Sequence, residues 1–219
     1  DDRQEAETVA VKVRRLIDSN TRGTDIAILF RTNAQSRSFE ESFRKYKIPY
    51  VLVGGMSFYE RMEIRDCLAF LRLLVNPRDS ISFERIYNKP VRGLGEKALE
   101  AITGKAAALR LSLLETLLII NPEEFGSRSR SGFSELKTVF ELLLSMYKSK
   151  ESPVEILKQA LDLSGYWKSL KMEASVENES RMENIEELGN ALVRWEEDNP
   201  GRDLSAFLEE VALVSDVDS

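Results

Sequence analysis

Residues 26–53, IAILFRTNAQSRSFEESFRKYKIPYVLV, have an apolar, strand-like run at each end and a helical pattern between them. The first run, Ile26–Phe30, is unbroken and apolar, which is typical of a strand buried on both faces in a parallel sheet. Thr32 and Gln35 have the spacing of a capping box, and Tyr50–Val53 is predicted as a second strand. A strand, a helix and a strand in succession form a βαβ unit, the building element of an α/β sheet.

Helical patterns flank this unit. Apolar residues from Ala6 to Ile17 recur at steps of three and four, which predicts an amphipathic first helix. After Asn76-Pro77 no further strand-like run occurs. We therefore expect an α/β plus all-α protein, with a partial parallel-sheet domain over residues 1–77 and a helical domain over residues 78–219. The predicted helices lie near 58–74, 80–87, 96–108, 111–120, 134–148, 153–164, 176–197 and 204–215, and residues 126–132, GSRSRSG, are interpreted as a low-complexity linker.

The composition excludes several classes of protein. The chain has 219 residues, a formal charge of −6 and 42% hydrophobic residues, a balance that excludes disorder and collagen. It has no histidine, so no imidazole can act as base, nucleophile or metal ligand. The single cysteine, Cys67, forms neither an internal disulfide nor a thiolate zinc site, which favours the cytoplasm. No apolar run is long enough for a membrane, and both ends resemble cuts through a longer protein.

Charge is distributed unevenly. Residues 61–110 carry ten basic and six acidic side chains, whereas residues 173–219 carry three basic and fourteen acidic ones. A solvated helical surface explains the acidic end, and a protein partner is the alternative. The basic stretch is compatible with phosphate contacts, and an ordinary protein surface is the alternative.

Arg31 follows the end of the first predicted strand and precedes the predicted helix start. Open α/β sheets bind anionic ligands at this position, and an arginine can hold a phosphate through two donors. The ring of Phe30 beside it can stack on a base. A surface ion pair is the alternative interpretation of Arg31.

A second candidate site is KPVRGLGEK, residues 89–97. The glycines flanking Leu94 lead into a helix, so the stretch forms a tight turn with exposed amides that can hold a phosphate, while Arg92 and Lys97 supply charge. A plain turn between helices is the alternative. We reject a dinucleotide fingerprint here because no buried strand precedes it, and a P-loop at Gly104-Lys105 because its first glycine and its Ser or Thr are absent.

No metal site is predicted. Glu60, Glu63 and Asp66 share a helix surface, but Arg61 and Arg65 are interleaved with them. Capping and surface ion pairs explain these carboxylates better than a metal does.

Taken together, these residues resemble the UvrD/PcrA/Rep group of superfamily 1 DNA helicases. The resemblance is dense from Asp25 to Leu99 and returns in the two distal stretches 181–188 and 207–213. The motifs that carry it are AILFRTNAQSR (27–37), IPY (48–50), Gly54-Gly55, Phe58, Arg61, Glu63-Ile64, Asp66, FLR (70–72), Asn76-Pro77 and PVRGLG (90–95).

The resemblance implies that residues 1–77 belong to the second RecA-like motor domain, 2A, and residues 78–219 to its helical insertion, 2B. Arg31 would be the motif IV arginine that reaches the γ-phosphate of ATP, a catalytic role, and Phe30 would take the place of the tyrosine that stacks on adenine. Arg92, Gly93, Leu94, Gly95 and Lys97 would contact duplex DNA. The parent would be an ATP-dependent 3′-to-5′ helicase of repair or replication that uses ATP and Mg²⁺.

The sequence lacks the P-loop, the acidic magnesium motif and motifs V and VI of that group, so we expect no ATP hydrolysis by this chain alone. Its partners would be tailed duplex DNA, domains 1A and 1B, and the rest of 2A. Two alternatives stay open: a nonenzymatic helical module that binds a protein partner, and a fragment of a nuclease-linked recombination helicase.

Overall fold

A computed structural model describes residues 2–30, 35–52 and 57–217. The chain forms two compact units that divide between Arg61 and Met62. This division lies ahead of the predicted domain boundary after residue 77.

The first unit is built on two helices, α1 (Asp2–Asp18) and α2 (Ser36–Lys45). Short 3-10 turns occupy Gly23–Asp25 and Phe58–Glu60. The core between the helices consists of buried apolar side chains with partly buried ones packed against them: Ala10, Val13, Phe43 and Ile48, with Val9, Ile17, Ile26, Ile28, Tyr46 and Tyr50. The predicted amphipathic first helix is therefore confirmed.

The predicted parallel sheet is wrong. Residues 26–30 and 50–52 run without helix or strand assignment, and no backbone hydrogen bond joins the described residues of the two segments. The side chains of Ile26 and Ile28 pack on the helical core, whereas Leu29 is 95% and Val51 86% exposed. An apolar run favours an extended segment with a buried face, but a strand also requires a hydrogen-bonded neighbour, and none lies within the described residues of this unit.

The second unit is all-helical among its described residues. Its helices are α3 (Met62–Val75), α4 (Ser80–Ile86), α5 (Glu96–Leu109), α6 (Leu113–Ile119), α7 (Ser127–Lys148), α8 (Pro153–Leu163), α9 (Tyr166–Met172), α10 (Val176–Asp198) and α11 (Leu204–Val217). The helical pattern after residue 77 is confirmed, and α9 was not predicted. The fold class is corrected accordingly: helices are the only regular secondary structure among the described residues, and no sheet is found there.

Helix α3 lies at the centre of this unit. It packs against α4, α8, α10 and α11. Leu68 and Leu71 are fully buried, and the ring of Phe70 stacks on that of Phe140 in α7 at 6.1 Å. Apolar side chains cover most of the circumference of α3. The helix is therefore surrounded by other helices of this unit and does not lie at its surface.

The predicted linker at Gly126–Gly132 is also wrong, because α7 begins at Ser127. Phe133, Leu136 and Phe140 are buried at spacings of three and four, so they form one apolar stripe. Burial of that stripe stabilises the helix, and serine and arginine at its start cost little helix propensity. Composition alone was therefore a poor guide to this segment.

Local capping fixes several helix starts. Ser112 and Glu115 form a reciprocal capping box at α6, and the Ser152 hydroxyl accepts from the Glu155 amide with Pro153 at the first position of α8. The Asp79 carboxylate accepts from the Ser82 amide and so holds the start of α4. These caps involve neighbouring residues only; the starts of α4 and α8 match the predicted helices near residues 80 and 153, whereas α6 begins two residues after its predicted start.

Candidate nucleic-acid interface

The candidate interface is the loop of residues 88–95, here called the glycine loop, which joins α4 to α5. The side chain of Asn88 holds its shape: Oδ1 accepts hydrogen bonds from the amides of Arg92 at 2.9 Å and Leu94 at 3.1 Å. Gly93 between them has φ of 76°, a conformation that favours glycine. The loop is therefore fixed from within.

Arg92 faces inward. Its side chain is 9% exposed, and Nη2 donates to the carbonyl oxygens of Lys89 at 3.2 Å and Ser164 at 2.9 Å. Burial lowers the pKa of this guanidinium, and the charge of Glu135 raises it in part. The side chain predicted to supply charge to DNA thus holds the loop to the end of α8, and the contact of this loop with DNA stays a prediction.

The outer face of the glycine loop carries different groups. Val91 is 87% exposed, and Gly95 and Lys97 are exposed as well, whereas Leu94 is fully buried. Gly95 is the N-cap of α5 and has no side chain to bond the first amides of the helix. The loop and the first turn of α5 therefore expose an apolar side chain, the partial positive charge of a helix N-terminus and a lysine, with the carboxylate of Glu96 exposed between Gly95 and Lys97.

A buried carboxylate anchors the end of α4 and the start of the glycine loop. Asp66 of α3 is 1% exposed, and its oxygens accept from Lys89 Nζ at 3.1 Å and from the Tyr166 hydroxyl at 2.9 Å. Its Oδ1 also lies 2.8 Å from Nε of Arg85. Burial, followed by the neighbouring Asp66 charge, raises the pKa of Tyr166. Asp66 joins α3, α4, the loop and α9 at one point.

The carboxylates of α3 are thus not the surface ion pairs that the sequence suggested. Glu63 is buried and accepts a hydrogen bond from Asn184 of α10. The signal that was missed is the apolar surroundings of Glu63 and Asp66 on α3: both lie among buried apolar residues of the helix, whereas Arg65 of the same helix is exposed. Asn88 was missed too, although asparagine just after a helix end commonly accepts from turn amides.

The predicted ATP-site residues belong to the first unit. The Phe30 ring stacks on that of Phe39 at 6.1 Å, with 19° between the ring planes. Phe30 also lines an open, mainly apolar groove of about 920 Å³ between the helices and the extended segments. Arg31, the predicted catalytic residue, and Thr32 lie outside the described residues, as do Gly54 and Gly55.

Two features are absent from the described residues. None of their helices is both long and apolar enough to cross a membrane. They also contain no group of three or more histidine, cysteine, aspartate or glutamate side chains arranged to hold a metal ion.

Comparison with known proteins identifies the family. Residues 1–219 match the UvrD-like helicase C-terminal domain. The chain is 39% identical over 215 residues to the ATP-dependent DNA helicase PcrA of Bacillus subtilis, with 98% of this chain and 29% of the relative covered. It is 37% identical over 221 residues to PcrA of Staphylococcus epidermidis, with 99% and 30% covered. The chain thus spans about three-tenths of the length of these relatives. The predicted resemblance is confirmed, and the chain belongs to the UvrD-like helicase C-terminal domain family.

Proposed function

We propose that this chain is part of an ATP-dependent DNA helicase and that its helical unit contacts duplex DNA through the glycine loop. The relatives named ATP-dependent DNA helicase support the first statement. The second is carried by one observation: Asn88 holds a loop whose outer face presents Gly95, at the start of α5, and Lys97.

The contact we propose is with the phosphate backbone. Gly95 lets a phosphate approach the first amides of α5 because no β-carbon intervenes, and Lys97 adds a mobile positive charge. Gly93 can take part through its backbone, whereas the amides of Arg92 and Leu94 are already bonded to Asn88, so these two residues act by holding the shape of the loop. Such contacts recognise duplex shape and charge without reading base sequence.

For the parent protein, we propose 3′-to-5′ unwinding in DNA repair or replication, driven by ATP and Mg²⁺ and carried out with domains 1A, 1B and the rest of 2A. Arg31 would stabilise charge on the transferred phosphate, and Phe30 would pack against the adenine. The absence of a P-loop from the sequence supports the expectation that hydrolysis requires those other domains.

The test is salt-dependent binding of this chain to a duplex with a single-stranded tail, followed by fluorescence anisotropy. Lys97→Ala should weaken binding several-fold and reduce the slope of log K against log salt by about one, because one phosphate contact is lost. Lys158→Ala is the matched control, since Lys158 is an exposed lysine of α8 outside the loop. Equal affinity and slope for wild type and Lys97→Ala would refute the proposed contact.

A further inference from the structure

Gly132 lies in the second turn of α7, where this helix meets the glycine loop. A β-carbon built on Gly132 would stand 2.3 Å from the carbonyl oxygen of Arg92, 2.8 Å from Cγ of Leu94 and 3.0 Å from its Cδ2. Non-bonded heavy atoms do not pack this closely, since their optimal separation is about 3.5–4.0 Å. Any residue other than glycine would push the helix and the loop apart.

The atom nearest to this β-carbon, the Arg92 carbonyl oxygen, belongs to the backbone. It therefore cannot move away by a change of rotamer, as the end of a flexible side chain could. The Arg92 carbonyl belongs to a loop whose amides at Arg92 and Leu94 are held on the other side by Asn88. The loop is thus fixed between Asn88 and α7, and Leu94 is fully buried beside Gly132.

Glycine inside a helix is otherwise unfavourable, so its presence here needs a reason. Two other helical glycines provide the comparison. A β-carbon on Gly104 of α5 or on Gly189 of α10 would meet no atom within 4 Å. The close approach at Gly132 is a local property of the contact with the glycine loop.

We propose that Gly132 is a positioning residue: its lack of a side chain seats α7 against the Arg92 carbonyl and so sets the position of the outward groups at Gly95 and Lys97. The effect on DNA binding rests on the proposed function of the loop. The effect on the loop itself rests on geometry alone.

The first measurement needs no DNA. Hydrogen exchange of the Arg92 and Leu94 amides is compared in wild type, Gly132→Ala and the control Gly189→Ala. We expect Gly132→Ala to exchange these amides at least tenfold faster while amides of α10 keep their rates, and the control to exchange them no faster than wild type. Unchanged exchange at Arg92 and Leu94 in folded Gly132→Ala would overturn the inference.

The second measurement is duplex binding at several salt concentrations. Gly132→Ala should bind the tailed duplex three- to tenfold more weakly, with a salt slope smaller by about one, because the Lys97 contact is displaced. A variant that was merely less stable would keep the wild-type slope once its folded fraction is taken into account. Faster exchange with unchanged affinity and slope, in a protein sensitive to Lys97→Ala, would also overturn the positioning role.

If the glycine loop does not contact DNA, the two measurements give a different combination of results. In that case wild type and Lys97→Ala bind alike, and the exchange experiment still decides whether Gly132 fixes the loop. If Gly132→Ala does not fold, the double variant Gly132→Ala with Leu94→Ala removes both side-chain contacts and leaves only the Arg92 carbonyl. It should show the same faster exchange at Arg92, and a wild-type rate there would overturn the inference.

Discussion

The Nη2 atom of Arg92 donates a hydrogen bond to the carbonyl oxygen of Ser164 at 2.9 Å, linking the glycine loop to the end of α8. Both residues are buried. Removing the guanidinium would therefore leave a buried carbonyl without this donor and an unfilled space beside it.

We accordingly expect Arg92→Ala to lower the free energy of unfolding by about 1–3 kcal/mol, measured by urea denaturation. Arg130→Ala is the control, because its exposed ion pair with Glu123 contributes about 0–1 kcal/mol at most. Equal stability of the two variants would contradict the structural role of Arg92.

Asp66 offers a second stability test. Asp66→Ala removes the acceptor of the buried Tyr166 hydroxyl and the partner of two cations, Arg85 and Lys89, that retain some access to solvent. We expect a loss of about 2–4 kcal/mol in the free energy of unfolding. Tyr166→Phe deletes only one of these hydrogen bonds and should cost about 1 kcal/mol. If Asp66→Ala were no worse than Tyr166→Phe, the carboxylate would not be the shared anchor we describe.

Substitution of the helical glycines that have free space around the position of a β-carbon should raise the free energy of unfolding, in contrast to the two changes above. Gly104→Ala and Gly189→Ala place a methyl group in free space and raise helix propensity, so each should stabilise the protein by up to about 1 kcal/mol. Thermal unfolding would reveal this as a higher Tm. A lower Tm for either variant would show that the β-carbon meets something at that site.

The start of α11 should respond to pH. The pKa of Asp203 is lowered first by the Ser205 hydroxyl and then by the Ala206 amide, both of which donate to its carboxylate. Because the folded-state pKa lies below the unfolded value, the stabilisation is complete above about pH 4 and is lost as pH falls through the folded-state pKa.

Asp203→Ala should therefore cost about 1 kcal/mol at pH 7, and the difference from wild type should shrink in acid. Urea midpoints measured from pH 7 to pH 3 test this. Asp203→Asn keeps a capping group that does not titrate, so it serves as the control. A wild-type advantage over Asp203→Ala that grows in acid would contradict the capping role.

For the parent helicase, Arg31→Ala should reduce ATP hydrolysis by a factor of the order of 10³ while leaving ATP affinity largely in place. Single-turnover hydrolysis and equilibrium nucleotide binding, measured separately, distinguish the two effects. Arg22→Ala provides a control, since Arg22 forms an exposed ion pair with Asp25 in the same unit. Loss of nucleotide binding with an unchanged rate constant for hydrolysis would refute the proposed role.

Local patterns predicted most of the helical unit. The helix starts at Ser80, Glu96 and Pro153 were predicted to the residue because caps and apolar spacing involve neighbours in sequence. The sheet could not be predicted in the same way. Ile26–Phe30 has the composition of a strand, but its pairing depends on a neighbouring segment that the run itself does not specify.

The candidate site, too, was predicted from the sequence only in part. The turn before α5 was visible in the glycine spacing around Leu94, but the direction of the Arg92 side chain was not. Its acceptor, Ser164, lies 72 residues further along the chain, and no local pattern encodes such a partner. Gly132 was hidden in a segment whose composition resembles a linker.

By itself, then, the sequence determined the helical periods and several helix starts, since these depend on residues close together in the chain, and it determined the family through motifs that occur in order along the chain. Only the tertiary structure decided which polar groups are buried. Asp66 meets Tyr166 across 100 residues, and Gly132 meets Arg92 through a contact that exists only after the helices pack. Burial and pairing of this kind arise from residues brought together by folding, so they become visible only in three dimensions.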